Sequence, residues 1–180
     1  MSTVHIVPDT SFYLFFLDDI GRPEELRRMI SHGAFRFWMG RVIKAEVGLS
    51  NLFAAVSDDF TDLVGLFDYY QYGELIRPFL SGGQINKGEN EVIVISYILD
   101  ATSEDYQAII DDGDARKFVE RSLPEISKHV SGTLGFIERC ASHFAVMSSV
   151  EATELLRAMK SSGFHIKGEI VDEAIRRLGG

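Results

Sequence analysis

At 180 residues, 46% of them hydrophobic and 25% charged, the chain suits one globular domain burying about two-thirds of its unfolded surface. No run reaches the roughly 18 apolar residues of a membrane span, and a lone cysteine, Cys140, excludes an internal disulfide and fits a reducing cytoplasm. The net charge of −9 argues against broad, sequence-blind binding to nucleic acid, which usually needs a basic face, and does not exclude a nuclease.

The start, Met1-Ser2-Thr3-Val4-His5, has no basic flank or small-residue cleavage site, so no signal peptide is expected. Val4 to Val7 is short, β-branched and bounded by Pro8, which reads as a buried strand. Thr10 or Ser11 is placed to cap a helix through Phe12 to Leu17. Gly21 to Pro23 breaks it, and Glu24 to Ser31 reads as a second helix with Leu26, Met29 and Ile30 on one face. Phe35 to Ile43 reads as the second strand, and Glu46 as the start of a helix carrying Val47, Leu49, Leu52 and Phe53.

Residues 57–87 mix acids (Asp58, Asp59, Asp62, Asp68) with aromatics (Phe60, Phe67, Tyr69, Tyr70, Tyr72). One or two short helices over a sheet edge, then a loop at Ser81-Gly82-Gly83, are expected. A helix from Glu89 to Leu99 follows, then a strand at Gln107 to Ile110 and a helix at Asp114 to Arg121. Lys128 to Ser131 reads as a short strand, and Gly132-Thr133-Leu134-Gly135 opens a helix through Ser142. Helices at Val150 to Ser161 and Gly168 to Leu178 end the chain. Strands alternating with helices imply an α/β fold, with a parallel sheet covered on both faces. Ligands in such folds bind beyond the carboxyl ends of the strands, at the switch in strand order.

Four acids sit where that rule puts a ligand: Asp9 after the first strand, Glu46 after the second, Glu89 at a helix start, and Asp112 after Ile109-Ile110. Converging carboxylates repel one another unless a cation neutralises them, so the set points to a divalent metal and to phosphodiester hydrolysis. Singly, each has an ordinary structural explanation: a helix N-cap for Asp9, a first-turn glutamate for Glu46, a solvated acidic turn for Asp111-Asp112-Gly113-Asp114. Glu91 lies about 200° round a helix from Glu89, so only one of the two can face the site, and Glu89 is nearer the open end. Asp112 reads as a direct ligand, with Asp114 behind it or on a second ion. The Thr133 hydroxyl is placed to orient a water or an acid. The five histidines show no metal-ligand spacing, and Cys140 has no adjacent base. A path for a polyanion is available along Arg22, Arg27, Arg28, Arg36, Arg41 and Lys44, with Arg116 and Lys117.

These motifs together resemble the PIN domain, a metal-dependent nuclease fold. They comprise the opening strand into Asp9-Thr10-Ser11, Glu46, Gly88-Glu89-Asn90-Glu91, Asp111-Asp112-Gly113-Asp114-Ala115-Arg116 and Gly132-Thr133-Leu134-Gly135, over nearly all 180 residues. The tail Leu155 to Ile166 is similar to the closing helices of one prokaryotic subgroup. The resemblance implies a single three-layer α/β/α domain around a five-stranded, mostly parallel sheet. It also implies Mg²⁺ or Mn²⁺ on Asp9, Glu89 and Asp112 with Glu46 nearby, and Thr10, Ser11 and Asp111 in support. The implied activity is cleavage of single-stranded RNA, often as the toxin of a toxin–antitoxin pair, in a protein that commonly forms a homodimer. The chain departs from the pattern at Ile110, where many relatives carry Ser or Thr, and in the long stretch 57–87. The competing reading is a PIN-like binding module that is silent or waits for a partner. A phosphatase on a similar sheet needs an Asp-x-Asp pair, which Asp9-Thr10-Ser11 lacks.

Overall fold

Pairing of the short apolar runs builds the sheet. Its strands are β1 (Val4–Pro8), β2 (Phe35–Met39), β3 (Gly65–Leu66), β4 (Tyr106–Ile109) and β5 (Val130–Ser131), all parallel and ordered β3-β2-β1-β4-β5. The computed structural model describes residues 3–50, 53, 57–80, 85 and 87–179; Leu52 and the loop expected at Ser81-Gly82-Gly83 lie outside them. Between the strands run α1 (Thr10–Leu14), α2 (Pro23–Ile30), α3 (Arg41–Val47), α4 (Ser57–Leu63), α5 (Arg77–Leu80) and α6 (Gly88–Ala101). After β4 come α7 (Gly113–Ser122) and α8 (Pro124–Ser127), and after β5 come α9 (Thr133–Ser142), α10 (Ser149–Ser161) and α11 (Gly168–Arg177). A π-helical turn (Phe15–Asp19) continues α1, and a 3₁₀ segment (Tyr69–Ile76) precedes α5. No helix among the described residues is long and apolar enough to cross a membrane.

Period-2 alternation sets the faces of the sheet. Phe35 and Phe37 of β2 point to the side of α1 and α9, where their rings meet Phe136, and the Phe12 and Phe136 rings lie 5.7 Å apart, edge to face. Phe12, Phe16, Phe37 and Phe136 are fully buried, each stabilising the fold by about 2–3 kcal/mol relative to exposure. Helix α6 covers the opposite face, where Tyr106 of β4 reaches Asp100 near its end. Helices on both sides of the sheet make the three-layer α/β/α arrangement. The chain turns one way from β1 to β2 and returns on the other side as β4, so the switch in strand order falls between β1 and β4.

Local boundaries differ from the sequence reading in ways that move candidate residues. The strand expected through Ile43 stops at Met39, and Arg41–Val47 is helical, so Glu46 lies in the last turn of a helix and does not begin one. The cause is Glu91. Its fully buried carboxylate accepts the Val42 N–H (3.1 Å) and the Ile43 N–H (2.9 Å), satisfying the first turn of α3, and also the Tyr69 hydroxyl (2.9 Å). Gly40 admits that carboxylate, since a Cβ there would lie 1.9 Å from the Glu91 Cδ. Leu49, expected on an apolar helical face, is 84% exposed. The first helix is capped by Asp9 itself, which accepts the Phe12 N–H, and not by Thr10 or Ser11. The strand expected at Lys128 to Ser131 shortens to Val130–Ser131, and β3 stands within the region read as helical.

Candidate active site

Pro8 ends β1 and Ile109 ends β4, and the Asp9 N–H donates to the Ile109 carbonyl (2.8 Å), so Asp9 and Asp111 emerge side by side at the switch point. Asp9 is 3% exposed. One of its carboxylate oxygens accepts the Phe12 N–H at 3.1 Å, and the other accepts the Asp111 N–H at 2.8 Å. Burial pushes the Asp9 carboxyl up to about 7, with the Asp111 and Glu89 carboxylates adding to the rise against those two N–H bonds. Asp111 is raised by the same burial; the Thr133 hydroxyl and N–H (2.9 Å), then the Arg116 guanidinium, pull it back. Thr133, which is fully buried, therefore orients an acid, one of the two roles expected of it.

Next in the chain, the Thr10 hydroxyl donates to Glu46 Oε2. A Cβ on Gly88 would lie 2.6 Å from the Thr10 Oγ1 and 2.9 Å from that Glu46 oxygen, so only glycine lets α6 start here. Glu89 follows it, 24% exposed, with the Lys87 Nζ 3.5 Å from its carboxylate. Asp9, Thr10, Glu46, Glu89 and Asp111 thus border one region, fed by β1, α3, α6 and the end of β4.

The acidic turn divides its labour differently from the sequence reading. Asp111, assigned a supporting place, is the residue beside Asp9. Asp112 caps α7, accepting the Asp114 N–H at 3.0 Å and the Ala115 N–H at 2.7 Å. Asp114 is 93% exposed and pairs with the Lys117 Nζ at 3.1 Å, turned away to solvent. Asp111 and Asp112 both line an open cleft of about 610 Å³, with Ser11, Leu14, Asp18, Asp19, Gly113, Gly163, Phe164 and His165. Asp18, Asp19 and His165 were missed. The π-helical turn at 15–19, closed by the Ile20 N–H on the Phe15 carbonyl (3.0 Å), carries the first two. The Asp-Asp doublet after an aromatic run was the only mark of them in the sequence.

No protein-family model matches the chain, and no curated protein or solved structure matches it. Among the described residues, no three His, Cys, Asp or Glu side chains form a ready-made metal-binding group. The donor set is nonetheless of the right kind for Mg²⁺ or Mn²⁺. It is all oxygen, and Mg²⁺ uses one or two carboxylates while keeping several waters. Each Asp9 and Asp111 oxygen has one hydrogen bond and a second lone pair to offer.

Proposed function

We propose that the protein is a PIN-like, metal-dependent endoribonuclease acting on single-stranded RNA. The observation that carries this reading is the buried Asp9–Asp111 pair at the switch point of an all-parallel sheet, where Glu89 adds to its charge. Two carboxylates forced together in a dry place favour a bound cation or proton over bare repulsion. Asp9 and Asp111 would hold the ion, with Glu89 and Glu46 beside it. Asp111 thus takes the part that the sequence reading gave to Asp112.

A divalent ion held there by Asp9 and Asp111 would activate a water for attack and offset charge on the phosphate. Asp9, with two N–H bonds fixing its plane, would present its remaining lone pairs to the ion. Thr133 holds Asp111 in place, and Thr10 does the same for Glu46. Ser11 and Asp112 stand on the cleft wall, where the RNA backbone would pass. The lone Cys140 fits a reducing cytoplasm, and on the PIN resemblance the chain would act as a homodimer, and as a toxin where an antitoxin protein accompanies it.

One observation favours the second reading, a catalytically silent or partner-dependent module. Asp9 caps α1, Asp112 caps α7 and Asp111 accepts the first N–H of α9, so all three aspartates already serve helix N-termini. Mn²⁺ titration calorimetry separates the readings. The nuclease reading expects binding by wild type that falls at least about tenfold in Asp9→Asn. A folded wild type that binds no Mn²⁺ would favour the silent module.

A further inference from the structure

The cleft beside Asp111 is lined by four carboxylates, Asp18, Asp19, Asp111 and Asp112. His165 is the one basic side chain among its described lining residues, with a ring that can both give and take a proton. Phosphodiester hydrolysis needs two proton movements. The attacking water gives one up as the new O–P bond forms, and the departing ribose oxygen takes one as the old P–O bond breaks. Carboxylates suit the first task.

The mounting of His165 fits the second task. It sits between α10 and α11 on a loop with its own internal ties. The Ser162 hydroxyl donates to the Met159 carbonyl (2.9 Å), the Phe164 N–H to the Ser162 Oγ (3.2 Å), and the Ile166 N–H to the Phe164 carbonyl (2.8 Å). Phe164 anchors the loop edge-on against Phe15, with ring centroids 5.2 Å apart. The Phe15 ring belongs to the same π-helical turn that carries Asp18 and Asp19, so anchor and acids sit on one element. A Cβ built on Gly163 would lie 3.9 Å from the Asp19 Oδ1, which brings the loop up against that carboxylate. His165 itself is exposed and lines the cleft together with Asp19. Histidine spacing in the sequence gave no hint of this, because the cleft is assembled from segments more than 140 residues apart.

We propose that His165 is the general acid of this cleft, protonating the ribose oxygen that leaves the phosphate. The proposal rests on the nuclease reading above. In the step, the water oxygen bonds to phosphorus and its proton passes to solvent. The P–O bond to the leaving ribose breaks, and that oxygen takes its proton from the His165 imidazolium. The neutral imidazole then recovers a proton from solvent.

The test compares wild type and His165→Ala on single-stranded RNA and on bis(p-nitrophenyl) phosphate, whose phenolate departs without a proton. We expect kcat on RNA to fall about 10²-fold with KM nearly unchanged, and cleavage of the aryl ester to stay within about threefold of wild type. Unchanged cleavage of RNA by His165→Ala overturns the assignment. An equal fall on both substrates also overturns it, because it marks a binding or structural role. If wild type cleaves neither substrate with any divalent ion, the nuclease reading itself fails and takes this proposal with it.

Discussion

Asp9→Asn should make the metal-free protein more stable at pH 8 while leaving it little changed, or slightly weaker, at pH 5. The wild-type carboxyl ordinarily titrates at 3.8 and is pushed up to about 7 by burial and by Asp111. A carboxyl raised on folding favours the protonated folded form, so its contribution is full below about pH 4 and lost as pH rises through about 7. Each tenfold change in proton affinity is worth about 1.4 kcal/mol, so the full loss is about 4 kcal/mol at most. Most of it, about 3 kcal/mol, falls between pH 5 and pH 8. The carboxamide carries no charge, but it accepts only one of the two N–H groups from Phe12 and Asp111, a pH-independent cost of about 1–2 kcal/mol. Thermal melts in chelator at both pH values isolate the effect, since most other titrating groups are common to both proteins. The melting-temperature difference between variant and wild type should move by about 6–12 °C in the variant's favour from pH 5 to pH 8. A difference that stays constant across that range would show that Asp9 is not strained by its neighbours.

Two further outcomes follow from the hydrogen bonding. Glu91→Ala strips acceptors from the Val42 and Ile43 N–H groups and the Tyr69 hydroxyl, and should cost about 3–5 kcal/mol in urea denaturation; a loss below about 1 kcal/mol would contradict its role in starting α3. In cleavage assays Asp111→Asn should lose about 10²-fold or more, whereas Asp114→Asn should stay within about twofold because its side chain lies in solvent, and the reverse order would restore the sequence-based ligand set.

Much of the frame was legible because its signals are local. Val4 to Val7 is a β-branched run stopped by proline, and Ser149–Ser161 and Gly168–Arg177 carry apolar faces at helical spacing. Two strand residues at Gly65–Leu66 are too few for any period to register, which hid β3. Helix α3 was misread for a different reason. Arg41-Val42-Ile43 has good strand propensity, and what overrides it is a carboxylate 48 residues further on. Asp111 and Asp112 are adjacent and identical, so no local pattern distinguishes them. Thr133, 22 residues later, draws Asp111 inward, while the N–H groups of α7 hold Asp112 at the rim. The same logic separates Glu89 from Glu91. The helical offset correctly put them on different sides, and the nearer-the-loop residue is the one that adds charge at Asp9.

The most direct test is cleavage of an end-labelled single-stranded RNA with Mn²⁺ or Mg²⁺ by wild type and Asp9→Asn, with and without chelator. Cleavage by wild type alone, abolished by chelator, is the predicted result. No cleavage by a folded wild type that binds Mn²⁺, or equal cleavage by both proteins, would contradict the assignment of this site as a nuclease centre.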